Sequence, residues 1–224
     1  MKKFEDFKLI KDNFKNPKII EEALTHRSWV NEHPGIRDNN ERLEFLGDAI
    51  LEFVVSKELF LKFPSKKEGF LTTLRANLVN TSSLAQTANS LGLGKELFLS
   101  KGEEETGGRK NPSLLANTLE AIIGALFIDQ GLSKAEEFIQ KNILNKTKEM
   151  IKQPLKDPKS RLQEKIQAQG LPAPKYTVIK ESGPDHQKTF VVKATINGKD
   201  LAQGKGRSKS EAEQNAAKEA LKGL

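Results

Sequence analysis

Asn40-Glu41-Arg42-Leu43-Glu44-Phe45-Leu46-Gly47-Asp48-Ala49-Ile50-Leu51 carries apolar residues at helical spacing, and Glu41, Glu44 and Asp48 at i, i+3 and i+7. A helix here stacks three acids on one face, where side chains three and four apart meet and like charges repel by a few tenths of a kcal/mol per pair. The stack calls for a cation to relieve it.

A second acidic element lies downstream. Asn111 can cap a helix and Pro112 can occupy its first turn, opening an apolar run from Leu114 to Ile128. Asn117 and Glu120 are i, i+3 and share a face. Glu120 is therefore an acid on a largely buried helix, and Gly124 and Ala125 are small enough for close helix contact. An unpaired buried carboxylate is costly, so Glu120 should be neutralised, paired or metal-bound. Spacing alone leaves two readings open: salt bridges to Arg42, Arg75 or Arg109, or a cation site.

Composition narrows the cation. There are no cysteines and only His26, His33 and His186, widely spaced, which leaves oxygen ligands and favours Mg²⁺, with Mn²⁺ as a substitute. The chain is 36% hydrophobic and 30% charged, enough apolar content to fold. Its start lacks an apolar signal core and no run approaches the roughly 18 apolar residues of a membrane span, so a cytoplasmic protein with no membrane partner is expected. Formal net charge is +7, and residues 157–224 carry +5 of it, marking the C-terminal region as the polyanion binder.

Helical spacing in Leu9–Phe14, Ile19–Leu24, Leu43–Phe63, Leu71–Leu91, Leu114–Ile128 and Ala135–Met150, separated by Gly and Pro breakers, predicts an all-helical first domain over residues 1–152. Charge and Pro154 mark 153–157 as a linker. From 158 to 224 the pattern becomes α-β-β-β-α. Ser160–Gln169 and Ser210–Leu221 read as helices and Lys175–Glu181, Thr189–Ile196 and Lys199–Gly204 as strands, with turns at Gly183-Pro184 and Asn197-Gly198.

Glu41-Arg42-Leu43-Glu44-Phe45-Leu46-Gly47-Asp48 resembles the signature of the ribonuclease III family. With it, Leu24-Thr25-His26-Arg27-Ser28, Leu74-Arg75-Ala76-Asn77-Leu78-Val79 and Leu115-Ala116-Asn117-Thr118-Leu119-Glu120-Ala121 fall in the order that the family shows. The resemblance covers nearly the whole chain and implies the bacterial arrangement: a helical endonuclease and dimerisation domain, then a double-stranded-RNA-binding domain. It implies a homodimeric, Mg²⁺-dependent endoribonuclease that cleaves double-stranded RNA, processing rRNA, mRNA and tRNA precursors and leaving 5′-phosphate and 3′-hydroxyl ends. Glu44 and Glu120 match Mg²⁺ ligands, and Asp48 and Glu120 match catalytic carboxylates. Glu41 matches a position near the subunit boundary and scissile strand. Phe45 matches an aromatic that inserts into the other subunit, ordinary core packing being its other use.

Asn117 departs from the family, which carries an aspartate at this metal-ligand position. An amide oxygen can still hold a cation or a water but brings no charge, so the alternative function is a duplex-RNA-binding protein with a crippled catalytic site. In the second domain the resemblance assigns RNA contacts to Gln163 and Glu164 on the first helix, to His186 in the turn after Gly183-Pro184, and to Lys205, Arg207 and Lys209 ahead of the last helix. Recognition there is by duplex shape, not base sequence.

Overall fold

The structure is a computed structural model that describes residues 7–184 and 187–224. The chain divides into two compact units, Met1–Gln153 and Pro154–Leu224.

The first unit is helical: α1 (Phe7–Asp12), α2 (Pro17–Ala23), α3 (Arg27–Glu32), α4 (Glu41–Lys62), α5 (Glu68–Val79), α6 (Thr81–Ser90), α7 (Lys101–Glu105), α8 (Pro112–Gln130), α9 (Leu132–Asn142) and α10 (Thr147–Met150). Helix α8 is the hub, packed against α4, α6, α9 and α2. As expected, Asn111 caps it, its side chain accepting from Ser113 N at 2.9 Å, with Pro112 in the first turn. By length and composition α8 could cross a membrane. Leu115, Leu119, Ile122, Ile123 and Ala125 are instead buried in this unit's own core, the usual fate of a helix apolar on every side.

Helices α4 and α8 cross backbone to backbone. A Cβ on Gly47 would lie 1.8 Å from the Glu120 carbonyl oxygen, and one on Gly124 would lie 2.2 Å from that of Leu43. No side chain larger than hydrogen fits at either position, and the crossing brings Glu44 and Asp48 up to Glu120.

Two predicted helices are broken. The run Leu71–Leu91 splits at Asn80, which closes α5 with extended backbone (φ −68°, ψ 157°) and accepts from Ser83 N at 2.9 Å to cap α6. An Asn side chain that replaces the missing backbone partner makes such a break inexpensive. The run Ala135–Met150 breaks at Ile143, where the Asn142 and Asn145 side-chain amides donate to the carbonyls of Phe138 and Lys141 in competition with the helix ladder. Helix α3 falls outside the predicted helices. It holds only six residues with none buried, too short for a periodic pattern.

The second unit is α11 (Pro158–Gln167), β1 (Lys175–Ser182), β2 (Thr189–Ile196), β3 (Lys199–Gly206) and α12 (Lys209–Ala220), with an antiparallel sheet in the order β1-β2-β3. Asn197 and Gly198 both take positive φ (47° and 76°), as the two-residue hairpin turn requires. A Cβ on Gly204 or Gly206 would lie 2.0 Å and 2.5 Å from the backbone nitrogens of Ala216 and Ala212, so β3 rests directly on the alanine face of α12. Leu162, Ile166, Val192, Ala194 and those alanines form the core. Asp157 caps α11, accepting from Ser160 N, Ser160 Oγ and Gln214 Nε2. These bonds, the Ser160 hydroxyl's first, hold its carboxyl down at about 2.

Candidate active site and RNA-binding face

The α4–α8 crossing opens onto a cleft of about 670 Å³ lined by His26, Arg27, Asn40, Glu41, Glu44, Phe45, Asp48, Leu114, Asn117 and Glu120. All six residues singled out in the first domain, Glu41, Glu44, Phe45, Asp48, Asn117 and Glu120, line it.

The backbone that presents them is tied down on both sides. Thr25 and Phe98 form a β-bridge, with His26 N donating to Phe98 O at 3.1 Å and Phe98 N to Leu24 O at 3.0 Å. Asn40 is buried, and its N–H donates to Thr25 O at 2.9 Å while its amide donates to Ala23 O. The segment 24–26 is thereby bolted to the residue that precedes α4. The approach to Asn40 is held by Arg37, whose guanidinium lies over the rings of both Trp29 and Phe98 at 4.9 and 4.7 Å and pairs with Glu21 at 3.1 Å.

The salt-bridge reading of the acids does not hold. Arg75 binds Glu52 at 2.9 Å and Ser56 at 2.7 Å, and Arg109 binds Glu104 at 2.7 Å and the carbonyls of Gly94 and Leu97. Among the described residues, Glu44, Asp48 and Glu120 form no ion pair. Glu41 has one, with Arg27 at 3.6 Å, both side chains being largely exposed.

Burial, followed by the charges of Asp48, Glu44 and Glu52, lifts the Glu120 carboxyl to about 7. Glu44 is raised for the same kind of reason, burial first and Glu41 next, with hydrogen bonding from the Asn117 amide opposing the shift. Three carboxyls that face one cleft and form no ion pair among the described residues have the electrostatics of an ion site. Among the described residues, however, no group of three or more His, Asp or Glu converges closely enough to hold a metal by itself. The donor set is two or three carboxylates plus the Asn117 amide, which suits a hard cation that keeps several waters and takes further oxygens from its substrate.

In the absence of metal these shifts set a pH dependence. Glu120 ionises near 4.5 in the unfolded chain and near 7 in the folded one, so across that window the folded protein holds a proton that the unfolded chain has lost. Thermal stability in EDTA is expected to fall as pH rises from 4.5 to 7, and Glu120→Gln is expected to flatten that segment of the melting profile.

Phe45 is 81% exposed, so the core-packing alternative is excluded: its ring stands on the cleft rim. The cleft also contains His26 and Arg27, which sequence reasoning quoted only as part of a motif. The available signal was a His two residues before a Ser at the start of a helix, the pattern of a capped terminus.

The comparisons agree with this geometry. The family model described as Ribonuclease-III-like matches residues 16–147, and the double-stranded RNA binding motif matches residues 158–224. This chain belongs to the ribonuclease III family. A Ribonuclease 3 of Geobacillus kaustophilus (strain HTA426) is 49% identical over 212 residues, covering 94% of this chain and 86% of the relative. A Ribonuclease 3 of Bacillus cereus (strain G9842) is 47% identical over 225 residues, covering 98% and 92%. The nuclease domain of ribonuclease III from Campylobacter jejuni superposes with a TM-score of 0.56 at 41% identity, covering 69% of this chain and 99% of that one. The chain is thus a ribonuclease III-type endoribonuclease with a double-stranded-RNA-binding domain.

In that second domain Gln163 and Glu164 are exposed on α11, Glu164 in an ion pair with Lys156. Lys205, Arg207 and Lys209 are exposed; Lys205 belongs to β3 and Arg207 precedes α12 as expected, whereas Lys209 is the first residue of that helix and not ahead of it. Ser208 caps α12, and Lys209 lies 3.7 Å from Glu181. His186 lies outside the described residues.

Proposed function

We propose that the chain is a homodimeric, Mg²⁺-dependent endoribonuclease that cleaves double-stranded RNA to 5′-phosphate and 3′-hydroxyl ends, acting on rRNA, mRNA and tRNA precursors in the cytoplasm. The observation that carries this reading is the uncompensated set of Glu44, Asp48 and Glu120 in one cleft. Glu44, Glu120 and the Asn117 carbonyl oxygen would hold the ion. When bound, a divalent ion lowers the pKa of water and neutralises charge on the phosphodiester. Glu120 and Asp48 would orient the attacking water and hold its proton. Glu41, exposed at the first turn of α4, stands at the rim beside the strand to be cut.

The homodimer is supported by an apolar stripe on α4. Phe45, Phe53 and Phe60 are 81%, 54% and 69% exposed, and with Ala49 they fall within one narrow arc of the helix beside the acids. A second copy covering this stripe would place the two clefts next to each other. A Campylobacter jejuni nuclease domain, 44% identical with a TM-score of 0.55, is described as flexible in a region involved in dimer formation.

Incubation with labelled duplex RNA, with Mg²⁺ or with EDTA, tests the reading. Metal-dependent fragments are expected. Asn117 favours a second reading, a duplex-RNA binder with a disabled site, and retention of uncut RNA under both conditions would select it. For the second domain, replacing Lys205, Arg207 and Lys209 together with Ala is expected to weaken all duplexes alike and to reduce the slope of log affinity against log salt by about 2 to 3. Binding titrations at several salt concentrations check this, and a loss confined to some sequences would contradict recognition by shape.

A further inference from the structure

We propose that His26 is a substrate contact whose Nε2–H donates to a phosphate oxygen of the RNA strand in the cleft. This rests on the reading of that cleft as the cleavage site. The ring lines the same cleft as Glu41, Glu44, Asp48, Asn117 and Glu120, and its neighbours decide which nitrogen is free. Ser100 N–H donates to Ser28 Oγ at 3.1 Å, so the Ser28 hydroxyl can use its own hydrogen on His26 Nδ1, 2.8 Å away. Ser28 N–H donates to the same Nδ1 at 3.3 Å, capping α3. A ring nitrogen that accepts a backbone N–H carries no proton, which puts the proton of the neutral ring on Nε2. That nitrogen has no part in the cap.

The backbone under the ring is equally constrained, by the bridge to Phe98 and by the bond from Asn40 to Thr25. Swinging the ring away would break the cap. The nearest formal cation, Arg27, is paired with Glu41. In a cleft whose ionised acids can only accept hydrogen bonds, a fixed neutral donor holds a phosphate oxygen without competing for the cation that those acids require. A lysine at the same place would compete.

The test separates capping from contact. Asn is among the best N-caps, so His26→Asn keeps an acceptor for Ser28 N–H but lacks a second ring nitrogen to reach the strand, whereas His26→Ala loses both. His26→Asn is expected to melt with the parent protein and to cleave saturating duplex RNA about ten- to a hundredfold more slowly, the loss of one hydrogen bond to a charged group. Parent-like cleavage by His26→Asn, with Glu120→Gln inactive, would overturn the proposal and leave the cleft reading standing. Full activity in Glu120→Gln would overturn the cleft reading itself. A second measurement does not depend on stability: duplexes carrying a single methylphosphonate at successive positions across the cut. One position is expected to slow the parent and leave His26→Asn no slower than before, whereas additive losses at every position would overturn the contact.

Discussion

Gly47→Ala is expected to destabilise the first unit by about 3 kcal/mol or more and to abolish cleavage. Overpacking usually costs about 1 to 3 kcal/mol because side chains can shift. Here the obstacle is backbone, since the added methyl would lie 1.8 Å from the Glu120 carbonyl oxygen and 2.9 Å from Gly124 N. Only separation of α4 from α8 relieves it, and that separation takes Glu44 and Asp48 away from Glu120. Calorimetry or thermal circular dichroism reads the stability, with a fall of roughly 6 to 12 °C expected for a protein of this size. Gly102→Ala is the control: it lies in the exposed helix α7 with nothing within 4 Å of an added Cβ, and should be neutral or stabilising by up to about 1 kcal/mol. If Gly47→Ala melts and cleaves like Gly102→Ala, the close crossing does not organise the site.

Asn117→Asp is expected to lower the Mg²⁺ concentration for half-maximal cleavage by about tenfold or more, and to raise the rate most at limiting Mg²⁺. The residue lines the cleft with Glu44 and Glu120, and its amide now partly offsets the rise in Glu44 by hydrogen bonding. Replacing that donor with a carboxylate supplies the anionic ligand that the cluster lacks, and changes even in groups that only orient ligands typically alter metal affinity about 10- to 100-fold. Without metal the sign reverses. A further negative group beside Glu44, Asp48 and Glu120 loses the favourable bond and adds repulsion, so Asn117→Asp should melt below the parent in EDTA and recover with Mg²⁺. Superimposable Mg²⁺ titrations for the two proteins would rule out a ligand role for position 117.

Much of this site was legible in the sequence because its parts are local. The spacing of Glu41, Glu44 and Asp48, and of Asn117 and Glu120, is helical geometry, and Asn111-Pro112 announces where the second helix starts. The same local reasoning failed at Asn80 and Ile143, where side-chain amides interrupt apolar patterns that continue on either side. The place of His26 and Arg27 in the cleft left no such signal, because a six-residue helix with no buried side chain leaves no periodic trace.

The sequence by itself determined which residues are acidic, on which helices they lie, and that Glu120 belongs to a largely apolar helix. It also determined the two-domain order, through the change from a helical to an alternating pattern. Only the tertiary structure decided that the two acidic faces meet. That depends on two glycines 77 positions apart in the chain, Gly47 and Gly124, touching the facing helix's backbone. It likewise decided that Phe45 belongs to the rim and not the core, and that Arg75 and Arg109 are engaged elsewhere. Periodicity reports the face a residue shares within its own helix. Which face a distant helix presents to it is set by packing, and packing alone brings Glu44, Asp48 and Glu120 into one cleft.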